Sequence, residues 1–240
     1  MLETAISVKD RLIVALDVPN AAQARQLVRS LGNAVVHYKI GLQLFTAEGP
    51  EFVRELCRSG KKVFLDLKLH DIPNTVAGAV KSIAELGCSM VTIHASGGRK
   101  MMSAAVEAAA SANPQLVVLG VTVLTSMADD DLADVGLPVG AWEHTVYLGK
   151  LAQNAGCGGV IASPQEVQEL RRILEPSKFI VTPGIRPSGA NAEDQARIAT
   201  PADALNHGAD YLVIGRPITA ASDPLHATTA ILQEMEHATN

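Results

Sequence analysis

The residues best suited to chemistry lie in one stretch, Phe64-Leu65-Asp66-Leu67-Lys68-Leu69-His70-Asp71-Ile72-Pro73-Asn74-Thr75. Asp66 and Lys68 are two apart, so on a strand their side chains share a face. With Asp71 three residues further on, the segment offers a carboxylate, an ammonium and a second carboxylate, an alternating array that Lys39 can join from an earlier segment. Buried charges are tolerated when they are paired and hydrogen-bonded, and partners of both signs at one place meet that demand. General acid–base transfer and electrostatic stabilisation are the chemistry open to such an array. A purely structural ion-pair network is the alternative reading of the same residues. Asp17, ahead of Pro19-Asn20, either joins the array or caps a helix.

A second set suits an anion. Thr182-Pro183-Gly184-Ile185-Arg186 and Gly215-Arg216-Pro217 combine glycines, which let backbone approach a ligand closely, with arginines, whose planar forks match phosphate oxygens. The polar stretch from Pro187 to Gln195 reads as a lid over that anion, with Gln195 as its contact. Thr125 and Ser126 offer hydroxyls, although Ser126 also fits as the cap of a helix over Met127–Val135. His94 reads as a satisfied structural histidine, Trp142 and Met101-Met102 read as packing, and the remaining histidines lack metal-ligand spacing.

Positioning these groups falls to eight short apolar runs: Leu12–Leu16, Val35–Ile40, Val63–Leu67, Met90–Ile93, Leu116–Val121, Gly159–Ala162, Phe179–Val181 and Tyr211–Ile214. They are near-continuous rather than alternating, as in strands of a parallel sheet buried on both faces. Helix punctuation separates them. Pro50 suits a first helical turn that Gly60 ends, Ser163-Pro164-Gln165-Glu166 reads as a capping box, and Thr200-Pro201 and Asp223-Pro224 open two more helices, the first closed by Gly208. Alanine-rich Ala77–Leu86 and Ser103–Ala112 suit helices packed closely on a sheet.

Eight strand–helix alternations predict a single (β/α)8 TIM barrel, one domain over residues 1–240. A doubly wound open sheet is the second choice, but neither GxGxxG nor GxxxxGK[ST] is present. In a TIM barrel reactive residues gather at the carboxyl ends of the strands, and the loops after strands seven and eight commonly bind phosphate. Asp17, Lys39, Asp66, Lys68, Arg186 and Arg216 all fall at that rim.

Composition narrows the classes. The chain has 240 residues, 48% hydrophobic and 19% charged, enough for a large core. A net charge of -5 argues against nucleic acid as a partner. Three cysteines without a CxxC pair fit reduced thiols rather than a disulfide framework or structural zinc. With no apolar stretch of signal-peptide or membrane-spanning length, the expected location is the cytoplasm.

These motifs together resemble the orotidine 5'-monophosphate decarboxylase family in its bacterial type. The 64–75 segment resembles its active-site motif throughout. Val181-Thr182-Pro183-Gly184-Ile185-Arg186-Pro187 and Val213-Ile214-Gly215-Arg216-Pro217 resemble its phosphate segments, while Ala15-Leu16-Asp17, Tyr38-Lys39-Ile40-Gly41 and Val121-Thr122-Val123-Leu124-Thr125-Ser126 match three strand ends. Asp-x-Lys-x-x-Asp alone is shared with sister phosphosugar enzymes, which typically need Mg2+. The resemblance implies decarboxylation of orotidine 5'-monophosphate to uridine 5'-monophosphate without metal or organic cofactor. It implies Lys68 as the acid that protonates carbon 6, flanked by Asp66 and Asp71, with Lys39 holding the network. Asp17 and Lys39 are expected at the ribose, Thr125 near the pyrimidine, and Arg186, Gln195, Gly215 and Arg216 at the phosphate. A homodimer is implied, each site taking Asp71 and Thr75 from the partner subunit.

Overall fold

All eight apolar runs become strands in the computed structural model, which describes residues 6–187 and 199–239. They are β1 (Leu12–Ala15), β2 (His37–Gly41), β3 (Lys62–Leu69), β4 (Met90–His94), β5 (Val117–Val121), β6 (Gly159–Ile161), β7 (Phe179–Thr182) and β8 (Tyr211–Ile214). Each pairs in parallel with the next and β8 pairs with β1, closing a (β/α)8 barrel. A short α1 (Val8–Arg11) precedes β1. The connecting helices are α2 (Ala21–Leu31), α3 (Leu42–Arg58), α4 (Pro73–Glu85), α5 (Gly98–Ala112), α6 (Asp129–Asp134), α7 (Ala141–Asn154), α8 (Val167–Ile173), α9 (Pro201–Asn206), α10 (Arg216–Thr219) and α11 (Pro224–Thr239).

Most of the expected helix boundaries hold. Pro50 opens the second half of α3 after a kink at Gly49, and Thr200 caps α9 by accepting from the Asp203 N–H. Four local readings do not hold, two of them offered only as alternatives. Asn20, not Asp17, caps α2, accepting from the Gln23 N–H at 3.0 Å. Ser163 makes no capping box: its hydroxyl accepts from the Gln165 N–H within a turn, and α8 starts only at Val167. Ser126 does not cap α6, whose entry is instead fixed by the Asp131 carboxylate accepting from the Ala128 N–H at 2.7 Å. Met101 and Met102 are buried as expected, but Trp142 is 53% exposed, because it lies on the outer side of α7.

Strand alternation divides the core in two. Ile13, Ala15, Phe64, Met90, Leu119, Val121, Ile161, Val181, Tyr211 and Val213 point inward and fill the barrel. Their neighbours, such as Leu12, Val14, Val63, Leu65, Val91 and Ile93, point outward and pack beneath the helices. Most strand residues are therefore buried on both faces of the sheet, which is why the apolar runs showed no alternation. The inner cluster becomes the floor of the site.

Candidate active site

Two residues further along several inward columns, the side chains turn polar or vanish. Asp17 stands above Ala15, Lys39 above His37, Asp66 above Phe64, Thr92 above Met90, and Gly215 above Val213. The alternation that fills the barrel with hydrocarbon thus brings charge to one rim. The Lys39 ammonium lies 2.9 Å from Asp17 Oδ1 and 3.6 Å from Asp66 Oδ2. Lys68 Nζ donates to both Asp66 oxygens, at 2.9 and 3.0 Å. Two acids and two amines so alternate in one chain of contacts. Lys39 and Asp66 are well shielded, with side chains 11% and 13% exposed, while Lys68 at 30% faces the opening.

Burial alone would push the Asp66 carboxyl upward. The Lys39 and Lys68 charges, with hydrogen bonds from Lys68 and Thr92, outweigh it and hold the group below the usual carboxylate range. Asp66 is therefore a fixed anion between two cations. Glycine at position 41 leaves room for this packing: a Cβ there would sit 3.0 Å from Lys39 Nζ and 3.2 Å from Asp17 Oδ1, so the ion pair would have to shift by a few tenths of an ångström.

Lys68 is the one residue other than glycine, among those described, with positive φ (51°). Leu65 pairs with Val91 and Leu69 with Ile93, so four steps along β3 match two along β4, and Lys68 rides on the surplus. Simple alternation put Asp66 and Lys68 on one face. The structure reaches the same juxtaposition through a bulge and a left-handed residue. Thr92 braces it, its hydroxyl donating to Asp66 Oδ1 and accepting from the Lys68 N–H, both at 2.9 Å.

Asp17, Lys39, Asp66, Lys68, Thr125, Arg186, Gly215 and Arg216 line one cavity of about 420 Å³, a size typical of small-molecule sites. Phe64, Val121, Val123, Leu124, Ile161 and Pro183 form its apolar wall, suited to the face of a planar ring. Gly184, Gly215 and the two arginines lie at the mouth near β7 and β8. Arg186 is 7% exposed, and its guanidinium donates to the Ile185 carbonyl at 3.0 Å.

Two expected members stand apart. Asp71 and Thr75 are exposed and do not line this cavity; Asp71 instead accepts from the Ile72 N–H at 2.6 Å. Within the described residues of one chain the charge array is Asp17, Lys39, Asp66 and Lys68, without Asp71, because the chain turns outward after Leu69. Gln195 and most of the expected lid lie outside the described residues. Sequence reading passed over Thr92, whose only signal is a hydroxyl on the inward face of an otherwise apolar strand; His94, read as a satisfied structural histidine, has its Nδ1 3.3 Å from His70 Nδ1. Among the described residues no group of three or more His, Cys, Asp or Glu side chains is arranged to hold a metal ion.

Comparison with known proteins agrees with this geometry. The sequence matches the family model described as orotidine 5'-phosphate decarboxylase / HUMPS family over residues 10–231. It is 48% identical over 234 residues to an orotidine 5'-phosphate decarboxylase of Moorella thermoacetica, covering 95% of this chain and 93% of that one. To the protein of the same name from Opitutus terrae it is 49% identical over 225 residues, covering 94% and 98%. The crystal structure of orotidine 5'-phosphate decarboxylase from Lactobacillus acidophilus superposes with a TM-score of 0.85 at 39% identity, over 93% of this chain and 98% of that one. A closed eight-stranded barrel, a charged rim built on β1 to β3 and these matches over nearly the whole chain lead to one assignment: the chain belongs to the orotidine 5'-phosphate decarboxylase / HUMPS family.

Proposed function

We propose that this decarboxylase converts orotidine 5'-monophosphate to uridine 5'-monophosphate and CO2 in pyrimidine nucleotide synthesis in the cytoplasm, with Lys68 as the proton donor and no metal or organic cofactor. The observation that carries the reading is the Lys68 ammonium, held by both oxygens of a buried Asp66 at the edge of a cavity with an apolar wall and arginines at its mouth.

Breaking the bond between carbon 6 and the carboxylate releases CO2 and leaves the electron pair on carbon 6. No electron sink conjugates with it, so the stabilisation is electrostatic. The Lys68 ammonium beside that carbon lowers the energy of the developing charge, then transfers its proton to form the product C–H bond, and solvent later reprotonates the amine. Asp66 and Lys39 fix the amine before substrate arrives, so little reorganisation is required during reaction. The apolar wall with Thr125 takes the pyrimidine, Asp17 and Lys39 the ribose, and Arg186, Gly215 and Arg216, with Gln195, the phosphate.

The active form is a homodimer in which Asp71 and Thr75 complete the partner's site. Their exposure, together with that of Leu42 and Ile72, which follow β2 and β3 on the same rim, supports this.

The test is loss of orotidine 5'-monophosphate absorbance on adding purified protein in EDTA, which also separates this reading from a Mg2+-dependent sister activity. Lys68→Ala is expected to lose nearly all turnover while still binding uridine 5'-monophosphate. Activity within about tenfold of the parent would remove Lys68 as the acid. An Asp71→Ala subunit mixed with a Lys39→Ala subunit regains activity if sites are shared, and stays inactive after verified subunit exchange if they are not.

A further inference from the structure

The β3–β4 ladder fails where it is most needed. Between the Leu65↔Val91 and Leu69↔Ile93 pairs, β3 carries two surplus residues, and within them Lys68 holds a left-handed backbone. Backbone in that region persists only where its surroundings fix it. Two side chains of β4 flank the irregular stretch: Thr92, which accepts from the Lys68 N–H, and His94, one residue past the restored Leu69↔Ile93 pair, whose Nδ1 meets His70 Nδ1 at 3.3 Å with the rings edge to face. Such a contact requires opposite tautomers, one ring presenting N–H and the other a lone pair. His70 is itself exposed and lies beside the 3-10 turn at Ala95–Gly97, where a Cβ on Gly97 would stand 3.6 Å from its ring. Lys68 therefore has a side-chain rung on either side, one at its own amide and one two residues after it.

We propose that His94 is a positioning residue for Lys68, its bond to His70 securing the strand pairing where it resumes at Leu69 and Ile93 and so closing the bulge. This rests on the reading of Lys68 as the proton donor. Thr92 fixes where the bulge begins and His94–His70 where it ends, so the lysine backbone cannot relax toward an ordinary strand conformation that would carry Nζ away from Asp66.

The test uses His94→Leu, which fills the site without a hydrogen bond, and His94→Asn, which returns a polar atom near Nδ1. Amide hydrogen exchange across residues 66–72 is measured on the free protein, independently of catalysis, beside kcat and KM for orotidine 5'-monophosphate. With one hydrogen bond lost, the Leu variant is expected to exchange about tenfold faster in this segment, and kcat to fall about tenfold or more with KM near the parent value. The Asn variant recovers most of both. If His94→Leu does not fold, His70→Leu breaks the same bond from its exposed side and is read in the same way. Unchanged exchange in a folded variant overturns the proposal whatever Lys68 does. Faster exchange with parental kcat overturns it as a positioning device. If Lys68→Ala itself remains active, the reading of the acid fails instead, and the exchange result still judges the rung.

Discussion

Replacing Asp66 with asparagine tests the charge array at its centre. The side chain keeps its shape, but the four groups Asp17, Lys39, Asp66 and Lys68 pass from two acids and two amines to one acid and two amines. The amide must also aim its NH2 at an ammonium or at the Thr92 hydroxyl, both of which now donate to Asp66. Breaking a buried ion pair costs about 3–5 kcal/mol. Lys39 keeps its 2.9 Å contact with Asp17, so the lower end applies. If about 3 kcal/mol is lost in the transition state, kcat falls about 100-fold. The cost to the fold is read separately, in stability, and has a definite sign. The folded-state Asp66 carboxyl lies below its ordinary 3.8, so its contribution is complete above that pH and disappears as pH falls through the lower value. Parent and Asp66→Asn stability curves should thus lie apart near neutral pH and converge below about pH 3.8. Absorbance kinetics and urea unfolding across pH measure the two effects. A fall in KM alongside kcat would show Asp66 crowding the substrate carboxylate as well. A kcat within about threefold of the parent, with parallel stability curves into the acid range, would refute the reasoning.

Three further outcomes follow from groups away from the reacting carbon. Arg171 joins α8 to β7 and β8, donating to the Lys178 and Gly208 carbonyls and to Asp210, so Arg171→Met should cost about 3–5 kcal/mol in urea unfolding and leave KM unchanged. Burial holds the His37 imidazole below its ordinary 6.5, only partly opposed by its contact with the Asp10 carbonyl, so the unfolded chain binds that proton first; stability should decline as pH drops below about 6.5, less steeply in His37→Asn. Cys57 is half-buried and pulled below the ordinary thiol range by hydrogen bonding to Cys88, whereas burial pushes Cys157 up to about 12; peptide mapping after brief alkylation should find Cys57 labelled first.

The barrel was legible because its strands are mostly buried on both faces, which writes them as unbroken apolar runs. The rim was legible because a strand offers a defined inward column, so Asp17, Lys39 and Asp66 follow from where each run stops. What escaped depends on atoms distant in sequence. Ser163 carries a capping signal, but its neighbours form a turn and α8 starts later, since a hydroxyl close to an N–H satisfies a turn as readily as a helix. Trp142 is large and apolar, yet only the facing of α7 decides whether it is covered. Nothing in Leu67-Lys68-Leu69 announces a left-handed lysine; that conformation comes from the mismatch between β3 and β4.

On the proposed reading of Lys68 as the acid, that mismatch explains what a lysine gains at this position. An ammonium at the end of an ideal inward column would have no carboxylate folded against it, and its field would be screened by water more fully than that of Lys68, whose side chain is 30% exposed. The bulge turns the backbone so that Lys68 Nζ folds back onto both oxygens of Asp66, over a floor of Phe64, Val121 and Ile161. In that apolar setting an oriented charge acts more strongly than in water. The strained backbone costs about 1–3 kcal/mol, a sum that the Thr92 hydroxyl, the Asp66 ion pair and the His94 contact can together offset. Removing one brace should therefore shift the equilibrium of a single local structure rather than delete one additive contribution. Thr92→Val and His94→Leu, combined in a double-mutant cycle, should prove less than additive in kcat, and strict additivity would show the two braces to be independent.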